Sequence, residues 1–167
     1  CDGVIVSGVY KGFADLLELG LVDRMPTVHL VQAEGSQAIH RALVTGDFGD
    51  PLRSHTVADS ISVDVPSAGY LAAQRARRYN GRSIVVSDEE ILAAQHRLAA
   101  TTGHFCEPAA AAAAAGFFAE IDGRSSVPAI RGSTTGHTIS SDDTIVILST
   151  GSGLKDIESA AQGVQRL

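Results

Sequence analysis

Seven consecutive alanines, residues 109–115, follow a proline and precede Gly-Phe-Phe. Alanine is the strongest helix former, and Pro108 suits a first helical position, where a missing amide costs nothing. A helix surfaced with methyl groups has no wide side. Neighbouring layers can therefore pack closely on any of its faces, and the rest of the chain must supply those layers.

Short β-branched runs alternate with segments of helical period. Residues 4–6 read as a buried strand ending at Ser7 and Gly8. Phe13, Leu16, Leu17 and Leu19 then recur at helical spacing up to Gly20, and residues 28–32 form a strand beyond Pro26, completing a βαβ unit. Ser36 can cap a helix carrying Ile39, His40, Leu43 and Val44, and residues 46–51 are loop. Residues 61–65 alternate like a short edge strand that Pro66 stops. Tyr70, Leu71, Ala73 and Ala76 make a helix face ending near Asn80 and Gly81, ahead of a strand at residues 84–86. Ser87, followed by Asp88, Glu89 and Glu90, is a capping box that opens a helix over residues 88–100. Residues 125–141 are a polar, exposed excursion. The fold class is α/β: a mostly parallel open sheet with helices on both faces. No repeat or linker divides the chain, so residues 1–167 form a single α/β domain or fragment.

Residues 144–156, T-I-V-I-L-S-T-G-S-G-L-K-D, read as strand, tight turn and helix. Ligands of open α/β sheets sit at the carboxyl ends of strands. Ser149, Thr150 and Ser152 offer hydroxyls there, and Gly151 and Gly153 allow close backbone approach. The alternative is a capped helix with no ligand, Ser152 or Gly153 being the N-cap.

Several partner classes fall away. The net charge of −6 is spread along the chain, and Arg75, Arg77 and Arg78 read as a solvated helix face, which argues against nucleic acid. Cys1 and Cys106 form no zinc or disulfide spacing, which fits a reducing cytoplasm, and Cys106 reads as a small buried residue. The histidines lack metal-ligand spacing, so no metal is expected. No apolar run approaches the roughly 20 residues that span a bilayer, so no membrane partner is expected. With no initiator methionine, the chain is expected to be a fragment.

Five blocks carry a resemblance. They are K-G-F-A-D-L-L-E-L-G-L-V-D-R-M-P (residues 11–26), V-Q-A-E-G (31–35), V-S-D-E-E-I-L (86–92), C-E-P-A-A-A-A (106–112) and S-T-G-S-G-L-K-D (149–156). In this order they resemble the carboxyl-terminal half of threonine synthases, members of the fold type II pyridoxal-phosphate enzymes related to tryptophan synthase β chains. The resemblance implies a lyase of amino-acid biosynthesis that converts O-phosphohomoserine and water to threonine and phosphate. It implies pyridoxal 5'-phosphate as cofactor, a small amino-acid substrate, an amino-terminal half as missing partner, and a homodimer surface.

Position by position, the resemblance puts Thr150 against the pyridine nitrogen, with Ser149 and Gly151 beside it. A neutral hydroxyl there leaves that nitrogen largely unprotonated. Glu107 matches the acid beside the cofactor ring, and Glu34 is peripheral. Ser60 and Ser67, with Ala58, Asp59, Ile61 and Pro66, fall on the substrate side. No catalytic residue is assigned, because the Schiff-base lysine lies in the amino-terminal half within a Ser-x-Lys-Asp motif that is absent here. Lys155 is expected to face water or an acid. The phosphate-binding loop after the first strand reads as shortened, since Ser7 and Gly8 run directly into Val9 and Tyr10. The fragment alone is therefore expected to be inactive. The other readings are a non-catalytic remnant or interaction module, and another fold type II lyase such as a threonine dehydratase.

Overall fold

The computed structural model describes residues 2–123 and 139–164. Two strands, β1 (His29–Ala33) and β2 (Arg82–Val86), pair in parallel with His29 opposite Arg82 and Ala33 opposite Val86. Parallel neighbours need a long crossover, and here α2 (Ala38–Thr45) and α3 (Gly69–Arg78) lie within it. The helix α1 (Val4–Glu18) packs on α3. On the other face lie α4 (Asp88–Thr102) and α5 (Pro108–Ile121), while α6 (Ile157–Val164) leans on α4. The expected parallel sheet with helices on both faces is thus present, in a two-stranded form among the described residues.

Each face has its own core. Tyr10, Leu30, Ile39, Leu43, Ala72 and Ala76 are buried together on the α1–α3 side. Ala33, Ile84, Val86, Ile91 and the alanines of α5 form the other core. The alanine helix comes close enough to β1 that a Cβ at Gly116 would lie 2.5 Å from Val31 Cγ2. The capping box at α4 is complete: Ser87 Oγ accepts the Glu90 amide at 3.2 Å, and Glu90 Oε2 accepts the Ser87 amide at 2.9 Å. Gly103, at φ 73°, closes the helix in the left-handed region.

Six expectations are overturned. Residues 4–6 are the first turn of α1, not a strand, and Gly3 precedes them at φ 87°. Three apolar residues cannot tell strand from helix, and here the helical period continues through buried Ser7 and Tyr10. The βαβ unit built on that strand falls with it. So does the inferred shortening after Ser7, because those residues lie inside a helix. Residues 61–65 form no strand either. They follow a 3-10 turn, Asp59–Ile61, and Ser36 Oγ serves them instead of a sheet partner, accepting the Val63 amide at 3.0 Å and lying 3.1 Å from the Ile61 carbonyl. That employment removes Ser36 as a helix cap; the N-cap of α2 is Gln37, whose side chain donates back to the Glu34 carbonyl at 2.9 Å and makes no capping bond. Residues 144–148 are likewise in no strand, and Ile145, Val146 and Leu148 are exposed. The polar excursion falls mainly on residues 124–138, outside the described residues.

A polar chain ties α2 to the sheet. Gln32, 2% exposed, accepts the His40 amide at 2.7 Å and donates to the Ser36 carbonyl at 3.2 Å, while His40 Nδ1 lies 3.0 Å from Ser83 Oγ. Burial holds the His40 imidazole below its usual range, and the Ser83 contact works in the opposite direction. A histidine that resists protonation in the fold but accepts a proton when unfolded lowers stability as pH falls. The effect sets in below about pH 6.5, the unfolded value, and grows until the folded group titrates. Urea midpoints are expected to drop between about pH 8 and pH 5, and less so in His40→Gln. Equal drops in both proteins would reject this origin. Asp2 and Asp64, held low mainly by hydrogen bonds from Ser67 and Ser54, act in a separate window below about pH 4.

Candidate functional site

The N-terminus of α5 is the fixed point of the site. Glu107 is its N-cap: the main-chain carbonyl receives the amides of Ala110 at 3.0 Å and Ala111 at 2.9 Å, and Pro108 follows at the first helical position. The carboxylate does not cap the helix. It lies 3.2 Å from Lys155 Nζ and 3.4 Å from Ser60 Oγ, and the residue is 6% exposed.

Residues 149–153 run antiparallel against residues 104–107. The Glu107 amide donates to the Gly151 carbonyl at 3.0 Å, and the Gly153 amide donates to the Phe105 carbonyl at 3.0 Å. Cys106 and Ser152 form the bridge between these bonds. Both glycines are required by contact. A Cβ at Gly151 would lie 2.1 Å from Glu107 Oε1, and one at Gly153 would lie 2.5 Å from the Phe105 ring. Ser149 Oγ meets His104 Nε2 at 2.7 Å, and Thr150 is exposed. Ser152 Oγ accepts the Leu154 amide at 3.3 Å and so caps a 3-10 turn, Gly153–Lys155. Ser152 thus caps a 3-10 turn, and the close approach at Gly151 is to the Glu107 side chain.

Cys106 is a spacer. Its thiol is pushed up by burial, with the Glu107 charge adding to that and the Ser149 hydroxyl opposing it. A thiol kept protonated in this way is a poor nucleophile. Gln95, buried on α4, donates to the Cys106 carbonyl at 2.7 Å and pins the 104–107 segment to the core.

Of the residues singled out from the sequence, Ser149, Thr150, Gly151, Glu107 and Ser60 therefore come together, with Lys155 as the acid's partner. Ser67 does not join them. Its amide and hydroxyl donate to the two Asp2 carboxylate oxygens, at 2.6 and 2.7 Å, beside the start of α1. The seven residue steps from Ser60 to Ser67 can span at most about 25 Å, so one loop links the Glu107 cluster to the α1 N-terminus. That terminus has no side-chain cap, and its first-turn amides were missed from the sequence. The signal was Asp-Gly just before the run at residues 4–6. Nothing local announced the His104–Ser149 contact.

The described residues form a parallel α/β layer with helices on both faces, and the candidate segments lie at helix N-termini. Among solved structures the chain resembles the T.th. threonine deaminase with a TM-score of 0.55 and 22% identity, covering 76% of this chain and 43% of that one. The chain belongs to the pyridoxal-phosphate dependent enzyme family, whose model matches residues 2–130. It is similar to the threonine synthase of Mycobacterium tuberculosis, 34% identical over 157 residues, which are 93% of this chain and 38% of that protein. The threonine synthase of Synechocystis sp. is 36% identical, with 94% and 36% covered, and that of Methanosarcina acetivorans 35%, with 90% and 35% covered. The chain thus spans between 35% and 40% of the length of the curated relatives it matches. The family is pyridoxal-phosphate dependent.

Proposed function

We propose that the chain forms the carboxyl-terminal part of a pyridoxal-phosphate threonine synthase, contributing the ring side of the cofactor groove as one α/β unit. The observation that carries this is the meeting of S-T-G with Cys-Glu-Pro: two blocks more than 40 residues apart in sequence lie against each other through Glu107 and Gly151. The residues present suit the cofactor. Uncapped amides at Gly3 and the first turn of α1 match a phosphate dianion. The exposed Thr150 hydroxyl is a neutral partner for a ring nitrogen, and Glu107, neutralised by Lys155, fixes the strip that carries it.

When bound, pyridoxal phosphate supplies an electron sink for the substrate carbon. The chain's own residues orient it and hold their charges apart from it. Neither of the chain's two lysines stands in the motif of a covalent cofactor lysine: Lys11 pairs with Asp15 at 2.5 Å and Lys155 with Glu107. That lysine therefore comes from residues outside this chain. In this reading the chain acts in the cytoplasm on a small amino-acid substrate; among the described residues no helix is long and apolar enough to cross a membrane.

The test is phosphate release from O-phosphohomoserine. A complete protein carrying this segment is expected to release phosphate and threonine in equal amounts, while these 167 residues with added cofactor release none. Deamination of threonine without phosphate release from O-phosphohomoserine would replace this reading with a dehydratase. Turnover by the chain alone would overturn the assignment of the lysine to another segment.

A further inference from the structure

Helix α1 has two apolar faces, and the described fold uses one of them. Val6 and Tyr10 join the core shared with α3, and a Cβ at Gly3 would lie 3.2 Å from Ala72 Cβ. The opposite face is formed by Ile5, Gly8, Val9, Gly12 and Leu16, with Leu19 at the C-cap, all on one stripe at helical spacing. Ile5 is 60% exposed and Leu19 71%; both glycines are exposed, and Val9 and Leu16 are half-buried. No charged side chain interrupts this stripe. The charged residues of α1, Lys11, Asp15 and Glu18, fall together along one edge of it, and Lys11 pairs with Asp15.

The glycines add an independent observation. A glycine inside a helix is less stable than an alanine, so its place there calls for a close neighbour. In α5 that neighbour is visible, because Gly116 has Val31 of β1 against it. For Gly8 and Gly12, by contrast, a Cβ would meet nothing within 4 Å among the described residues. One turn apart, they leave a notch through which another segment can come up to the main chain of α1. A helix apolar on both sides is a covered helix, and a contiguous exposed apolar stripe marks a contact surface.

The relatives say what is available to cover it. The chain spans between 35% and 40% of their length, so more than half of each lies outside the matched segment. A segment tethered in the same polypeptide meets the stripe at high effective concentration, an advantage that a second copy lacks. We propose that the outer face of α1 is an internal interface of the complete protein, covered by an apolar segment from outside residues 1–167 that packs into the notch at Gly8 and Gly12. The interface does not depend on the reading of the chain as a threonine synthase.

The test uses the complete protein and turns on the sign of a stability change. In a solvated helix Gly8→Ala and Gly12→Ala both raise the urea midpoint. Under a close-packed segment both are expected to lower it, and Gly12→Leu to lower it further. A raised midpoint in the two alanine variants would overturn the proposal. Ile5→Cys gives a second measurement that does not rely on destabilisation, with the parent protein's own cysteines as background. The native Ile5→Cys thiol is expected to react with a thiol reagent at least about tenfold more slowly than the same thiol in urea, at every protein concentration. Rapid labelling of the native protein would show an open face and sink the idea. Protection that disappears when the protein is diluted to a monomer would mean that a second copy covers α1, which equally overturns the assignment to the same polypeptide.

Discussion

Gly35→Ala is expected to destabilise the chain at or beyond the upper end of the roughly 1–3 kcal/mol that overpacking costs. The added methyl carbon would lie 1.7 Å from the His55 carbonyl oxygen and 2.9 Å from its carbonyl carbon. Both are main-chain atoms, so no rotamer change clears them. The two segments are also bonded there, the His55 amide donating to the Gly35 carbonyl at 3.0 Å, so relief means pulling apart the crossing just beyond β1. Urea unfolding measures the effect, and a midpoint equal to that of the parent, with the same slope, would contradict the packing described.

Gly151→Ala should be the most damaging conservative change at the candidate site. Here the obstacle is the Glu107 side chain, with Oε1, Cδ and Cγ at 2.1, 2.4 and 2.9 Å from the new atom. The carboxylate can swing away only by leaving its contacts with Lys155 and Ser60, and it has little solvent to swing into at 6% residue exposure. A stability loss of about 1–3 kcal/mol is expected. In a complete protein the same change is expected to weaken pyridoxal phosphate binding by tenfold or more, since it displaces the strip carrying Ser149 and Thr150. Glu107→Ala combined with Gly151→Ala distinguishes mechanism from general damage. If the clash is with the carboxylate, the pair is less unstable than the sum of the two single changes. Simple additivity would remove Glu107 as the cause.

How far the sequence could be read depends on the length of each signal. The capping box at Ser87, the alanine run behind Pro108 and the thirteen-residue period from Asp88 to Ala100 each combine several concordant cues, and each appears as expected. Residues 4–6 and 144–148, short runs of mostly apolar residues, and the short alternating stretch 61–65 have nothing beside them to decide their partner. The first run continues as a helix, the alternating stretch is served by a distant serine, and residues 144–148 are in no strand among the described residues. A strand is a relation between two segments, and local composition describes only one of them. The same limit applies at the site. Glu107 and Gly151 could each be singled out by their own surroundings, whereas the Lys155, His104 and Asp2–Ser67 contacts join residues tens of positions apart.

The alanine helix has a consequence for how α5 is ordered. Six of its buried side chains are alanines, Ala110, Ala111, Ala112, Ala114, Ala115 and Ala119, and a methyl group has no rotamers to give up. A leucine or methionine in such a place surrenders about 0.5–2 kcal/mol of side-chain freedom on folding, and these residues surrender none. At these six positions the helix is therefore immobilised against only the entropy of its backbone. The tolerance for change is correspondingly narrow: a larger residue at these buried positions enters only by displacing what packs on α5, namely α4, β1, β2 or the turn at Asp59–Ile61.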